Sequence, residues 1–165
     1  MVPNNLPAFL DYRGKIEKMA TLERAIELAA SAHAGQVDKA GQPYILHPLR
    51  VMLRMSTAHE RMAAVLHDVV EDTQVTLEQL RSEGFPAEVV SAVAALTKRV
   101  GESRLEAAAR AAADPVARAV KLADNAENMD LSRIAEPTEK DYARLEEYKK
   151  VRAILLGETN AVTFV

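Results

Sequence analysis

The stretch AAVLHDVVEDT, Ala63 to Thr73, is the hardest constraint on this chain, because four ionisable side chains follow directly on an apolar run. On a helix, residues four apart share a face, so His67 stands with Glu71 and Asp68 with Asp72. Neighbours differ by about 100° in direction, so His67 and Asp68 still converge near the helix end. Such a cluster suits a core helix poorly. It suits a metal with a catalytic carboxylate beside it. The bland alternative is a solvated Glu71-Asp72 turn before Thr73.

The surrounding chain favours helix. Of 165 residues, 48% are hydrophobic and only 4% aromatic, a balance of Ala, Leu and Val that points away from a β-sandwich. One domain with a substantial core is expected at this length. The net charge of -3 gives no electrostatic case for a nucleic-acid polymer or a membrane surface as partner. With no Cys, thiolate metal sites and disulfides are excluded, and any metal must be held by His and carboxylate. No secretory signal or bilayer-spanning run is read, so the expected location is the cytoplasm.

In chain order, residues 1–20 read as an irregular arm with Pro3, Pro7 and Gly14. Thr21 caps a helix to about Ala34 with His33 at the end of its apolar stripe. The loop GQVDKAGQP follows, then a helix with Pro48 in its first turn, ending near Ser56. Ala58 to Asp72 is expected as one central helix. Thr76 and Gln79 form a capping-box pattern, Gly84 ends a short helix, and Pro86 opens the next. An Ala-rich helix spans Ser103 to Ala113. Asp114-Pro115 starts a helix to about Asn128, and Thr138 caps a last one through Leu156, with Gly157 as its terminator. The reading is all-α, seven or eight helices: arm 1–20, domain 21–157, tail 158–165.

Two further residues are candidates to complete a metal set: His33, and Asp124 in VKLADN, both flanked by apolar residues that would turn them inward. Together with His67 and Asp68 they make a mixed nitrogen-oxygen set, for which Mn or Fe is the first candidate and Zn an alternative. Four protein ligands on an octahedral ion leave room for water and substrate; a tetrahedral Zn would be closed and structural. Taken singly, His33 is also a dipole partner at a helix C-terminus, Asp124 a partner for Lys121, and His47 a structural hydrogen-bonding residue.

Taken together, HAGQ-VDKAGQPYILHP, LHDVVEDT and VKLADNAENM resemble the HD-type hydrolase domain of the RelA/SpoT family, from about Leu22 to Leu156. In length the chain is similar to the small stand-alone hydrolases of that family, of the metazoan SpoT type. The resemblance implies a divalent metal, usually Mn, on His33, His67, Asp68 and Asp124. It implies that Glu71 and Asp72 serve the water that attacks the 3′-pyrophosphate of (p)ppGpp, giving GDP or GTP and pyrophosphate. It also implies nucleotide contacts at Lys39, Asn128, Arg144 and Tyr148. The departures from the family pattern are Asp38, Asn125 and Asp130, each where the family carries a basic residue. They motivate a second enzymatic reading, hydrolysis of an adenine alarmone or of the 2′-phosphate of NADPH. A third reading is a non-catalytic helical protein that binds metal or nucleotide. Nothing in the sequence reports on self-association.

Overall fold

A computed structural model describes residues 8–10 and 16–158. Five of the described helices start where short polar side chains serve the unpaired amides of a first turn. In α1 (Leu22–Ala32) the Thr21 hydroxyl accepts from Arg24 N. In α3 (Ala58–Leu66) Thr57 and Glu60 form a reciprocal capping box, as Ser103 and Glu106 do for α7 (Arg104–Ala112). Thr76 caps α5 (Leu77–Ser82), and Asp114 caps α8 (Pro115–Met129), with Pro115 at the first helical position. Each such cap contributes about 1 kcal/mol. α2 (Leu46–Leu53), α4 (Val69–Asp72), α6 (Ala87–Leu96) and α9 (Glu139–Leu156) complete the described helices, with one 3₁₀ turn at Leu131–Arg133.

α3 lies at the centre and packs on α1, α2, α6 and α8. Its last residues, Ala63 to Leu66, are wholly buried, as are Val51, Val69, Leu80, Val89, Val93 and Val120 from surrounding elements. Each large apolar side chain so buried contributes about 1.5–3 kcal/mol. A smaller cluster of Ala108, Val151 and Leu155 joins α7 to α9. α2 is held to α8 by Glu127, 6% exposed, which accepts from Arg50 Nε at 3.0 Å and from Arg54 Nη2.

The all-α expectation stands for the domain, with two local differences. The central helix is not continuous over Ala58 to Asp72: it breaks at His67 and Asp68, between α3 and α4. The His67 ring bonds through Nδ1 to the Ala64 carbonyl at 2.7 Å, the oxygen that an unbroken ladder would pair with the Asp68 amide. Asp68 accordingly sits at φ -102°, ψ -7°. Secondly, the arm contains an antiparallel pair of strands, β1 (Ala8–Leu10) and β2 (Ile16–Lys18). Beyond it, the Ala20 amide donates to the Gly84 carbonyl at 2.9 Å, tying the domain's entry to the end of α5. The tail expected after Gly157 lies outside the described residues past Glu158. Among the described residues, no helix is long and apolar enough to cross a membrane.

Candidate metal centre

His33 follows α1 and is 2% exposed. Its Nδ1 pairs with Gln36 Oε1 at 2.8 Å, and Gln36 Nε2 donates in turn to the Asp72 carbonyl at 3.3 Å. The amide is thereby oriented with its oxygen toward the imidazole, so Nδ1 carries the proton. Nε2 is left as a lone pair, buried and without a hydrogen-bond partner. His67 repeats the pattern. Its Nδ1–H is committed to the Ala64 carbonyl, and its buried Nε2 has no hydrogen bond.

What faces His67 Nε2 is acidic. Asp68 Oδ2 lies 3.0 Å away, outside hydrogen-bond alignment, and Asp124 Oδ1 lies at 3.8 Å. His47 from α2 adds a third imidazole, with Nε2 3.2 Å from Asp124 Oδ1 and 3.9 Å from Asp68 Oδ2. One atom each from His47, His67 and Asp124 falls within a 4.8 Å cluster. Tyr44 stands between His33 and His47, with ring centres at 4.9 and 5.8 Å, and its hydroxyl donates to Asp68 Oδ2. Of the four ligands expected from sequence, His67 meets both Asp68 and Asp124, while His33 stands apart from that cluster, its ring packed on Tyr44. The sequence reads His47 as a structural hydrogen-bonding residue. Its place against both carboxylates depends on α2 folding onto α8, which spacing does not encode.

The charges agree with a cation site. Burial disfavours the charged form of Asp124, but Lys121, His47 and His67 hold its carboxyl well below the ordinary range. Lys121 Nζ donates to Asp124 Oδ2 at 2.9 Å, and Asn128 Nδ2 to Oδ1 and to the backbone carbonyl of the same residue. Burial likewise opposes ionisation of Asp68, yet His67 and the Tyr44 hydroxyl bring it down to about 2. For His67, burial pulls downward and the two aspartates push harder upward, leaving it well above its usual value. Two ionised carboxylates around a nitrogen lone pair require a cation between them, a proton or a metal. The donor set of imidazole and carboxylate fits a divalent ion.

Above the cluster opens a cavity of about 390 Å³. Asp68, Asp124, His47, Tyr44 and Lys121 line its floor, with Glu71 and Leu96 to one side. Lys39, Asn128, Arg144 and Tyr148, the expected nucleotide contacts, all line the same cavity. Two of them are already engaged: Asn128 on Asp124, and Lys39 Nζ on Asp141 Oδ1 at 3.1 Å. Arg104 is an addition that sequence reading passed over; its guanidinium lies 5.0 Å over the Tyr148 ring. Glu71 is exposed, and its Oε2 accepts the Lys98 amide at 2.8 Å. Asp72 is exposed as a residue, but partial desolvation of its carboxyl and the neighbouring Asp68 and Glu71 raise its pKa.

The three departures fare differently. Asp38 and Asp130 line the cavity, but each spends Oδ1 on its own turn, Asp38 on the Ala40 and Gln42 amides and Asp130 on the Ser132 amide. Asn125 is 1% exposed and turns away under α9, with Nδ2 donating to the Tyr148 carbonyl at 3.1 Å.

A buried His/Asp cluster at the foot of a polar cavity in an all-helical domain defines a class, the metal-binding helical domains. The particular family is shown by the family model described as HD domain, which matches residues 25–147: the chain belongs to the HD domain family. That family implies a divalent metal, and the His/Asp cluster is its candidate site. A probable GTP pyrophosphokinase of Mycobacterium leprae is 38% identical over 151 residues, covering 83% of this chain and 19% of that protein. A guanosine-3′,5′-bis(diphosphate) 3′-pyrophosphohydrolase of Haemophilus influenzae is 44% identical over 86 residues, 48% of this chain and 13% of the relative. The chain thus spans under a fifth of the length of these curated relatives. Among solved structures, a metazoan ortholog of SpoT described as hydrolysing ppGpp superposes with a TM-score of 0.70 at 26% identity. It covers 88% of this chain and 90% of that one.

Proposed function

We propose that this chain is a metal-dependent phosphohydrolase that removes the 3′-pyrophosphate of (p)ppGpp, giving GDP or GTP and pyrophosphate. The observation that carries it is the buried, partnerless His67 Nε2 facing Asp68 and Asp124 at the foot of the cavity, with a second buried, partnerless nitrogen on His33, whose ring packs on Tyr44. His33, His67, Asp68 and Asp124 would hold the ion, with Mn the first candidate and Fe, Zn or Mg as alternatives. His47, whose Nε2 already meets Asp124, holds that carboxylate in place. The ion, when bound, polarises a phosphoryl oxygen and acidifies water.

The remaining chemistry belongs to the side chains. Glu71 keeps Oε2 on the Lys98 amide and lines the cavity, where it orients the attacking water and takes its proton. Asp72, whose carboxyl binds a proton more readily than usual, supports that transfer from the adjacent position. Lys39, Arg144, Asn128 and Tyr148 bind the nucleotide. The similarity to the solved SpoT ortholog over nearly both full lengths supports the substrate. The substrate is a small nucleotide and the expected location the cytoplasm.

The test is release of pyrophosphate or phosphate by metal-stripped protein with Mn, Mg, Zn or Fe restored separately. The panel is ppGpp, ppApp, NADPH and simple nucleoside di- and triphosphates. Mn-dependent pyrophosphate release from ppGpp is expected. Turnover of ppApp or NADPH alone would keep the site and replace the substrate, while metal binding without any turnover would contradict the enzymatic reading.

A further inference from the structure

Arg110, on α7, makes five side-chain hydrogen bonds outside the metal centre. Its Nη1 donates to the carbonyls of Ala94 and Ala95 at 3.1 and 2.8 Å, and Nη2 to that of Thr97 at 2.8 Å. Nε and Nη2 grip the Glu102 carboxylate at 2.8 Å each, a two-point fork. The side chain is 18% exposed and Glu102 is 12% exposed. Glu102 Oε2 also accepts the Arg99 amide at 2.9 Å. One guanidinium therefore closes the carbonyl end of α6 and both ends of the connection to α7, residues 97–103. Cationic caps at helix C-termini are common, and a cap alone would explain the first three bonds.

The connection it grips has a second duty. Lys98, between the gripped Thr97 and the gripped Arg99-Glu102 pair, donates its backbone N–H to Glu71 Oε2 at 2.8 Å. A backbone donor orients a carboxylate only as well as its own segment is held. This segment has little apolar anchorage: Lys98, Arg99 and Val100 are exposed. Its position thus rests on the Arg110 and Glu102 fork. We propose that Arg110 is a positioning residue: through the 97–103 connection it fixes the Lys98 amide, and through that amide the direction of the Glu71 carboxylate in the cavity. This rests on the reading of Glu71 as the residue that handles the attacking water.

Arg110→Lys keeps the charge but loses the planar fork. Glu102→Gln removes the charge and one of the two accepting oxygens of the fork and leaves Arg110 on the Ala94, Ala95 and Thr97 carbonyls. Two readouts are taken on each metal-loaded variant: kcat and KM for ppGpp, and hydrogen exchange of the Lys98 amide. Both variants are expected to lower kcat roughly 10–100-fold, the penalty of a misdirected catalytic group. KM and the midpoint of a Mn titration should stay within about twofold, since neither nucleotide nor metal contacts are touched. Exchange of the Lys98 amide should rise at least about tenfold in both variants, measured under conditions where each remains folded by circular dichroism. A merely structural clamp would lower the melting temperature and leave kcat of the folded fraction unchanged; that result, or an unaccelerated Lys98 amide, overturns the proposal. Should the wild type turn over no nucleotide, the hydrolase reading fails on its own, and the Lys98 exchange still decides whether Arg110 governs the segment that holds Glu71.

Discussion

His67 Nε2 and Asp68 Oδ2, from adjacent residues, stand 3.0 Å apart at the α3–α4 break, although the only ring proton of neutral His67 is committed to the Ala64 carbonyl. A lone pair and a carboxylate at that distance repel unless a cation joins them. In the metal-free protein that cation is a proton; if His67 ligates the proposed metal, the ion takes its place, and proton and metal compete for one nitrogen.

The competition fixes the sign of the pH dependence. His67 binds its proton more tightly folded than unfolded, where its pKa is about 6.5, so its contribution to metal-free stability is full below that value. That contribution is lost as pH rises through the folded value. Asp68 behaves oppositely: lowered to about 2, it stabilises above the unfolded carboxyl value of about 3.9 and loses that stabilisation as pH falls toward 2. The melting temperature of metal-free protein should thus fall at both ends, while the increment from added Mn grows with pH. A Mn increment independent of pH between about 5 and 9 would contradict this.

If His33 is a metal ligand as proposed, Gln36 governs metal affinity through it. Its amide oxygen fixes which ring nitrogen of His33 is bare. Gln36→Leu should weaken Mn binding by about 10–100-fold with little change in the melting temperature of metal-free protein, as seen in calorimetric titration. Unchanged affinity would place His33 outside the metal set.

Glu127 is a control for stability without chemistry. It is buried, bonds Arg50 and Arg54 and pins α2 to α8, and the cavity lining does not include it. Glu127→Ala leaves two guanidinium groups short of a partner and should cost about 1–3 kcal/mol in urea unfolding. The kcat of the folded protein should change by less than about threefold. A large loss of kcat at full stability would mean that α2, and with it His47, sits differently from the arrangement described.

Much of the fold was legible because helix starts are local chemistry. Thr21, Thr76, Ser103, Asp114 and Thr138 each begin a helix where the sequence places one, and Gly157 adopts φ +72° at the last terminus. The break after Leu66 was not legible, since the apolar period runs through it and only the His67 ring bond interrupts the ladder. The β1–β2 pair escaped because three-residue strands carry no alternation to read. Of the site, His67, Asp68 and Asp124 were readable as chemistry in an apolar setting. His47 and Arg104 were not, because what places them in the cavity is the packing of α2 on α8 and of α7 on α9. Asp38 stands where the family carries a basic residue, and its Oδ1 builds the turn that carries Lys39, a role the sequence did not reveal.

The most direct measurement is a single-turnover assay of pyrophosphate release from ppGpp by Mn-loaded protein, comparing wild type with Glu71→Gln. One equivalent of pyrophosphate per ppGpp is expected from the wild type. The rate in Glu71→Gln should be slower by at least about 10²-fold, with Mn affinity unchanged. Equal rates in the two proteins, or a Mn-loaded wild type that releases no pyrophosphate, would contradict the assignment of this cavity as a Glu71-dependent 3′-pyrophosphohydrolase site.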